Sequence, residues 1–240
     1  MQYDIIGFCS ENYKDCYNFS IQSWLATNAR KIYIYTDGWS DDTRNGRIEF
    51  INISQKDTEW VVNTGKKVGC MLDYWDREGT LDNFCFLDMD NYIVSDLAEV
   101  FDMIETIGLT RIYTRTTSAG NVFFKKNEIS KKFLDAWSVK QEEHKQSRDW
   151  SGHHGTAYDQ WSLHEITAKD LNIHKNDGAT TNQYKITSLV NEIWNCEHDD
   201  IEHWCRMIFQ NKCKLLHFKM GRWNDKNLVD TIKSIITNYE

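Results

Sequence analysis

The chain has 240 residues, 40% of them hydrophobic and 27% charged, with a formal net charge of −8. That length buries a substantial core, and the composition is that of a globular protein rather than a disordered one. The acidic balance excludes general nucleic-acid binding, which needs clustered Lys and Arg, and no apolar run reaches the roughly 18 to 20 residues that span a bilayer.

The amino terminus, Met1-Gln2-Tyr3-Asp4-Ile5-Ile6, lacks the basic start and long apolar stretch of a signal peptide. Seven cysteines are scattered along the chain, an odd number without framework spacing. Both observations predict free thiols in a reducing, cytoplasmic setting.

Residues 3–9 read as a buried strand, and residues 13–28 as a helix with Tyr17, Ile21, Trp24 and Leu25 on one face. Residues 31–36 are strand-like and end in the turn pair Asp37-Gly38, and residues 47–53 form a third strand. Residues 58–77 read as a helix that tolerates Gly65 and Gly69 at some cost. Residues 83–87 are a fourth strand that runs straight into Asp88-Met89-Asp90. Ser95 is placed to cap a short helix over 96–104, with Asp96 and Glu99 in its first turn. Residues 110–115 and 122–125 are strands, the second entered through Ser118-Ala119-Gly120-Asn121. Asn127 is placed to cap a long helix running to 146. Helices follow at 158–169 and 199–210, short strands and loops at 170–195, a strand at 214–218 and a closing helix at 226–239. Strands alternating with helices predict an α/β fold in one continuous domain, 1–240, with a mostly parallel central sheet covered on both faces. Such sheets bind ligands beyond the carboxyl ends of their strands.

Asp88 and Asp90 leave the apolar strand Phe84-Cys85-Phe86-Leu87 at such an end. In extended backbone, residues i and i+2 point to the same side. Two hard oxygen ligands on one side suit Mg²⁺ or Mn²⁺, with diphosphate oxygens filling the rest of the shell.

The flanking residues extend this reading. Phe86-Leu87-Asp88-Met89-Asp90-Asn91-Tyr92-Ile93-Val94 resembles the DxD segment of the GT-A glycosyltransferases. Three further landmarks resemble that superfamily in the right order. Ser118-Ala119-Gly120-Asn121-Val122-Phe123-Phe124-Lys125 looks like the strand that carries the donor sugar, followed by the helix of Ser130 to Trp137. Ala157-Tyr158-Asp159-Gln160 looks like the Asp-Gln helix start near the reaction centre. Leu216-His217-Phe218-Lys219-Met220-Gly221-Arg222-Trp223 resembles the C-terminal His-Gly-Lys-Pro-Trp segment of the glycogenin-like and lipopolysaccharide-galactosyltransferase-like families. Here Gly221 sits one residue further from His217 than in those families, and their proline is missing.

The resemblance implies a GT-A fold, a nucleotide diphosphate sugar donor (most simply a UDP-sugar) and a glycan or glycoprotein acceptor. It implies Mn²⁺ or Mg²⁺ bound by Asp88, Asp90 and His217, with Lys219 and Arg222 beside the diphosphate. The half up to about residue 105 would hold the nucleotide and the rest the acceptor. The strand end Phe8-Cys9 would run beneath the base, and Tyr13 would stack on it or pack at the helix start. Asp37 would bond the base or ribose, or serve its turn. Lys66, or equally its neighbour Lys67, would reach the donor. Asp159 and Gln160 would stand beside the anomeric carbon, as general base or as stabilisers of an oxocarbenium-like transition state. His153-His154-Gly155 would lie on a nearby loop.

Two other readings compete. Cys196, His198, His203, Cys205 and Cys213 offer zinc ligand types, as in a zinc-stabilised carbohydrate-binding module, although the run does not open with the close cysteine pair of a familiar finger. A sugar nucleotidyltransferase shares the sheet, but its Gly-rich loop after the first strand is replaced here by Phe8-Cys9-Ser10-Glu11-Asn12-Tyr13-Lys14.

Overall fold

A computed structural model describes residues 1–41, 45–53, 65–112, 116–147, 158–168, 183–196, 201–210, 212–218 and 222–237. Strand β1 (Asp4–Cys9) leads through a 3₁₀ turn at Glu11–Tyr13 into helix α1 (Lys14–Leu25). Then come β2 (Ile32–Thr36), β3 (Ile48–Asn52), α2 (Lys67–Asp76), β4 (Asn83–Leu87), β5 (Asn91–Ile93) and α3 (Val100–Met103). The second half runs β6 (Ile107–Ile112), β7 (Thr116–Lys125), α4 (Glu128–Ser147), α5 (Tyr158–Ala168), β8 (Ile186–Leu189) and α6 (Asn191–Trp194). It closes with α7 (Ile201–Phe209), β9 (Leu215–His217), a 3₁₀ turn at Arg222–Asn224 and α8 (Lys226–Thr237).

Seven strands form one sheet in the order β3-β2-β1-β4-β7-β6-β8. β1 pairs in parallel with β2 and β4, and β2 with β3. β7 is antiparallel to both β4 and β6, and β8 is parallel to β6, so β7 alone among these strands runs against the rest. β5 and β9 form a separate antiparallel ribbon.

Strand side chains alternate between the two faces of the sheet, and the core divides accordingly. Ile5, Ile32, Ile34, Cys85, Leu87 and Phe123 join one cluster, built against Trp24 of α1 and Phe101 of α3. Their neighbours Ile6, Tyr33, Tyr35, Phe84, Phe86 and Phe124 join the other, against Met71 of α2 and Phe133 and Trp137 of α4. A third cluster packs Trp204 and Ile208 of α7 and Val229 and Ile232 of α8 onto Leu216 and Phe218. Among the described residues no helix is long and apolar enough to cross a membrane.

At the amino edge of the sheet, buried Asp4 accepts hydrogen bonds from Arg30 Nε (3.0 Å), Tyr74 Oη (2.7 Å) and the Lys31 amide (3.1 Å). A buried carboxylate is tolerated there because it is paired and multiply bonded. Gly7, in the middle of β1, meets Trp24 closely: a Cβ added there would lie 2.9 Å from Trp24 Cη2 and 3.0 Å from Met89 Sδ. Gly7→Ala is therefore expected to cost about 1–3 kcal/mol of stability by overpacking, read as a lowered thermal midpoint. An unchanged midpoint would mean that Trp24 and Met89 yield freely.

Several sequence expectations need correction. The segment Ser118–Asn121, read as an entry to a strand, lies inside β7, where Asn121 pairs with Leu87. Long-range pairing overrides its small, polar composition. The helix expected over 96–104 contracts to α3 because the Asp96 carboxylate is committed elsewhere. It accepts from Tyr3 Oη (2.8 Å), the Asn28 amide (2.9 Å) and the Ala98 amide (3.1 Å). The strand expected at 110–115 begins earlier, at Ile107. The Asn127 cap is as expected: its Oδ1 accepts from the amides of Ile129 (2.9 Å) and Ser130 (3.0 Å). Residues 58–64 of the expected second helix lie outside the described residues.

Candidate metal centre

β4 carries the chain to the carboxyl edge of the sheet, where the Asp88 amide still donates to the Gly120 carbonyl of β7 (2.8 Å). Asn91 then closes a tight turn, donating from its amide (3.0 Å) and its Nδ2 (2.9 Å) to the Asp88 carbonyl. That turn starts β5, in which Asn91 pairs with His217 of β9. The Phe218 amide donates to the Asp90 carbonyl (2.9 Å), fixing the register. The ribbon thus sets a histidine from the end of the chain against the aspartate pair. Ligand atoms of Asp88, Asp90 and His217 all lie within 4.8 Å of one another.

His217 is buried and its ring is oriented from behind. Its Nδ1 lies 2.8 Å from Asn195 Oδ1, which also accepts from Asn121 Nδ2 at 2.7 Å. Asn195 Nδ2 donates to Asn191 Oδ1 (3.0 Å), which fixes the amide's orientation. With an oxygen facing it, Nδ1 is the protonated nitrogen of the neutral ring, and the lone pair is on Nε2. Nε2 faces Asp90 Oδ1 at 3.1 Å. Two acceptors at that distance need a proton or a metal cation between them. Gly120 leaves room beside the group, since a Cβ there would stand 2.8 Å from Asp88 Oδ2 and 3.0 Å from His217 Cε1. Two carboxylates, one oriented imidazole and this space fit a hard divalent cation. Gly120→Ala is expected to push the Asp88 carboxylate or the His217 ring aside and to weaken divalent-cation binding about 10–100-fold. Titration with Mn²⁺ checks this, and undiminished affinity would show that the cleared space has no bearing on the site.

Lys67, at the start of α2, is buried beside this group. Its Nζ lies 2.7 Å from Asp88 Oδ1, 2.8 Å from Asp88 Oδ2 and 2.8 Å from Asp159 Oδ2. Burial works against the Lys67 ammonium, but Asp159 and Asp88 outweigh it and hold its pKa above the ordinary lysine range. Burial pushes the Asp88 carboxyl above its ordinary range, with Lys67 pulling it down and Asp90 pushing it up. Asp159 lies in the first turn of α5 at 1% exposure, and its Oδ1 has no hydrogen-bond partner among the described residues. Its backbone is pinned by Trp137 Nε1, which donates to the Asp159 carbonyl (3.1 Å). Gln160 Oε1 accepts from the Ala119 amide (3.0 Å), docking the start of α5 on β7.

Of the remaining sequence candidates, Phe8, Cys9, Tyr13 and Asp37 lie at the ends of β1 and β2 and in the turn that follows β1. Lys66 turns away from Lys67, with its Nζ 5.5 Å from the centre of the Phe8 ring. Tyr13 is 38% exposed at the end of the first 3₁₀ turn. Asp37 Oδ1 accepts from the Glu11 amide (2.8 Å), tying the end of β2 to that turn. Cys9 turns inward: burial pushes its thiol far above the usual range, and its carbonyl accepts from Trp39 Nε1 (2.8 Å). Arg222 begins the second 3₁₀ turn. Lys219, Gly221 and the stretch His153-His154-Gly155 lie outside the described residues.

Sequence reasoning left Asn195 and Asn121 without a role, although Asn121 lies within a quoted motif. Of the zinc candidates, Cys196 and Cys213 are buried against each other, whereas His203 Nδ1 lies 2.8 Å from Arg206 Nη2. His198 lies outside the described residues, as does the side chain of Cys205. Among the described residues, Asp88, Asp90 and His217 form the sole His, Cys, Asp and Glu group with cation-binding spacing.

This architecture is the GT-A fold of the nucleotide-diphospho-sugar transferases: a mostly parallel central sheet flanked by helices, with the acidic pair at its carboxyl edge. Solved structures of glycosyltransferases are among those that share it. A glycosyltransferase involved in the glycosylation of the major capsid of PBCV-1 superposes with a TM-score of 0.59 at 8% identity, over 97% of this chain and 100% of that one. The glycosyltransferase GlyE of Streptococcus pneumoniae does so with a TM-score of 0.59 at 12% identity, over 98% of this chain and 60% of that one. The bifunctional glycosyltransferase WbbM gives a TM-score of 0.62 at 12% identity, over 99% of this chain and 50% of that one. The chain therefore spans the whole of the first and only part of the other two. No protein-family model matches the chain, and no curated protein matches its sequence.

Proposed function

We propose that the chain is a metal-dependent glycosyltransferase that moves a sugar from a nucleotide diphosphate sugar, with UDP as the base-bearing part, to a hydroxyl of a glycan or protein acceptor. The observation that carries this reading is the cluster of Asp88, Asp90 and His217 at the carboxyl edge of the sheet, joined through Lys67 to the buried carboxylate of Asp159. Mn²⁺ or Mg²⁺ held by Asp88, Asp90 and His217 would supply positive charge for the leaving diphosphate.

The chain's own residues then divide the work. Phe8, Tyr13 and Asp37, on the half up to about residue 105, are the residues assigned to the nucleoside, beyond β1 and β2. Lys66, Lys219 and Arg222 are the cations assigned to the phosphates. In the transfer, the bond from the anomeric carbon to the phosphate oxygen breaks with its electron pair going to the phosphate. An acceptor oxygen forms the new bond and gives up its proton. Asp159, assisted by Gln160, is the carboxylate assigned to that centre, as proton acceptor or as stabiliser of the positive charge developing on the sugar. The remainder of the chain would shape the acceptor site.

A thermal-shift screen of nucleotides and nucleotide sugars, each with and without Mn²⁺, tests the reading. Ligand at a hundredfold excess over its Kd adds roughly 2.7 kcal/mol of stability. A shift requiring both a nucleotide diphosphate and the cation is the expected result. No shift with any nucleotide would overturn the donor assignment.

A further inference from the structure

The donors of the candidate cation group are engaged within the protein itself. Asp90 Oδ1 faces His217 Nε2 at 3.1 Å. Both oxygens of Asp88 lie within 2.8 Å of one ammonium, that of Lys67. A divalent cation taking an Asp88 oxygen must share it with that ammonium, and two cations on one carboxylate repel each other. The ammonium has another place to go. One Asp159 oxygen already accepts it at 2.8 Å, and the other is buried without a partner among the described residues. Asp159 therefore has spare acceptor capacity, and an ammonium has three donors to fill it.

We propose that Lys67 competes with the divalent cation for Asp88 and withdraws onto Asp159 when the cation is taken up. Lys67 is on this view a positioning residue that links cation uptake to the placement of Asp159. The inference rests on the metal-site reading of Asp88, Asp90 and His217 and concerns how that site loads. The consequence is that Mn²⁺ alone binds weakly. A nucleotide diphosphate, which adds ligands for the cation and negative charge, makes it bind tightly, and the cation strengthens diphosphate binding by the same factor.

The test is a titration of Mn²⁺ alone, read from the electron paramagnetic resonance of the free ion, with no nucleotide present. The Lys67→Met/Asp159→Asn chain removes the ammonium together with the carboxylate that receives it, so the net charge of the cluster is unchanged. A tighter fit there reports the lost competition rather than a more negative field. At least tenfold tighter Mn²⁺ binding than in the unsubstituted chain is expected, and the gain from added UDP should shrink. Lys67→Gln/Asp159→Asn, which keeps the same charge balance, carries the same expectation where the first double variant does not fold, as judged by its thermal transition. Equal or weaker Mn²⁺ binding in the variant, with binding intact in the unsubstituted chain, would overturn the role of Lys67 and leave the metal site standing. No Mn²⁺ binding in any chain, with or without UDP, would overturn both.

Discussion

Asp90→Ala is expected to lower turnover of a nucleotide sugar by at least about 10³-fold, equivalent to about 4 kcal/mol of transition-state stabilisation. The substitution removes one of two carboxylates in the cation group and leaves His217 Nε2 without the oxygen it faces at 3.1 Å. A leaving diphosphate then loses the charge compensation assigned to that place. The fold is expected to survive, because the scaffold contact at this position is made by backbone: the Phe218 amide donates to the Asp90 carbonyl. The Asp90 side chain is 23% exposed, so truncating it empties little core. Turnover, measured as nucleotide diphosphate release, should collapse while the thermal midpoint moves little. Retained turnover would remove Asp90 from the site, and a collapsed midpoint would assign it to stability instead.

Asp159→Asn is expected to lower kcat by about 10²–10³-fold with the donor KM changed only a few-fold. The amide keeps the shape of the buried carboxylate. The bond from Trp137 Nε1 goes to the Asp159 carbonyl, so the start of α5 stays docked. What is lost is the negative charge assigned to the reacting centre and half of the pairing of Lys67. A group that acts on the transition state lowers kcat, whereas one that only holds the donor raises KM. A raised KM at unchanged kcat would move Asp159 from the reaction to donor binding.

The parts of the fold legible in the sequence are those set by local pattern. The strand Asn83–Leu87 is apolar from Phe84 onward, as a strand buried on both faces must be, and it delivers Asp88 to the edge where such sheets bind ligands. The Asn127 cap was legible because capping is local chemistry. The antiparallel course of β7 was not, because alternating strands and helices imply parallel neighbours and the β6–β7 pairing departs from that rule. Nor was the ribbon of Asn91–Ile93 with Leu215–His217: the strand at 214–218 could be read, but its three-residue partner carries little pattern of its own, and nothing local pairs segments so far apart in sequence. That ribbon brings His217 to Asp90, so the third candidate ligand was reached through family resemblance alone.

The choice between Lys66 and Lys67 turned on helix phase. One residue of offset rotates a side chain by about 100°, and the start of α2 has no side-chain cap to set that phase. The structure turns Lys67 toward Asp88 and Asp159 and Lys66 toward Phe8. Asn195 was invisible for another reason. Its value lies in a hydrogen bond to the ring nitrogen of a residue on another element, which no spacing in the sequence encodes.

The most direct measurement of glycosyl transfer is nucleotide diphosphate release from a panel of nucleotide sugars with Mn²⁺, compared with the same mixture after chelation and with the Asp90→Ala chain. Release should require the cation, be specific to one base, and vanish in both controls. Release that persists after chelation, or at equal rate in Asp90→Ala, would contradict a reaction run through Asp88, Asp90 and His217.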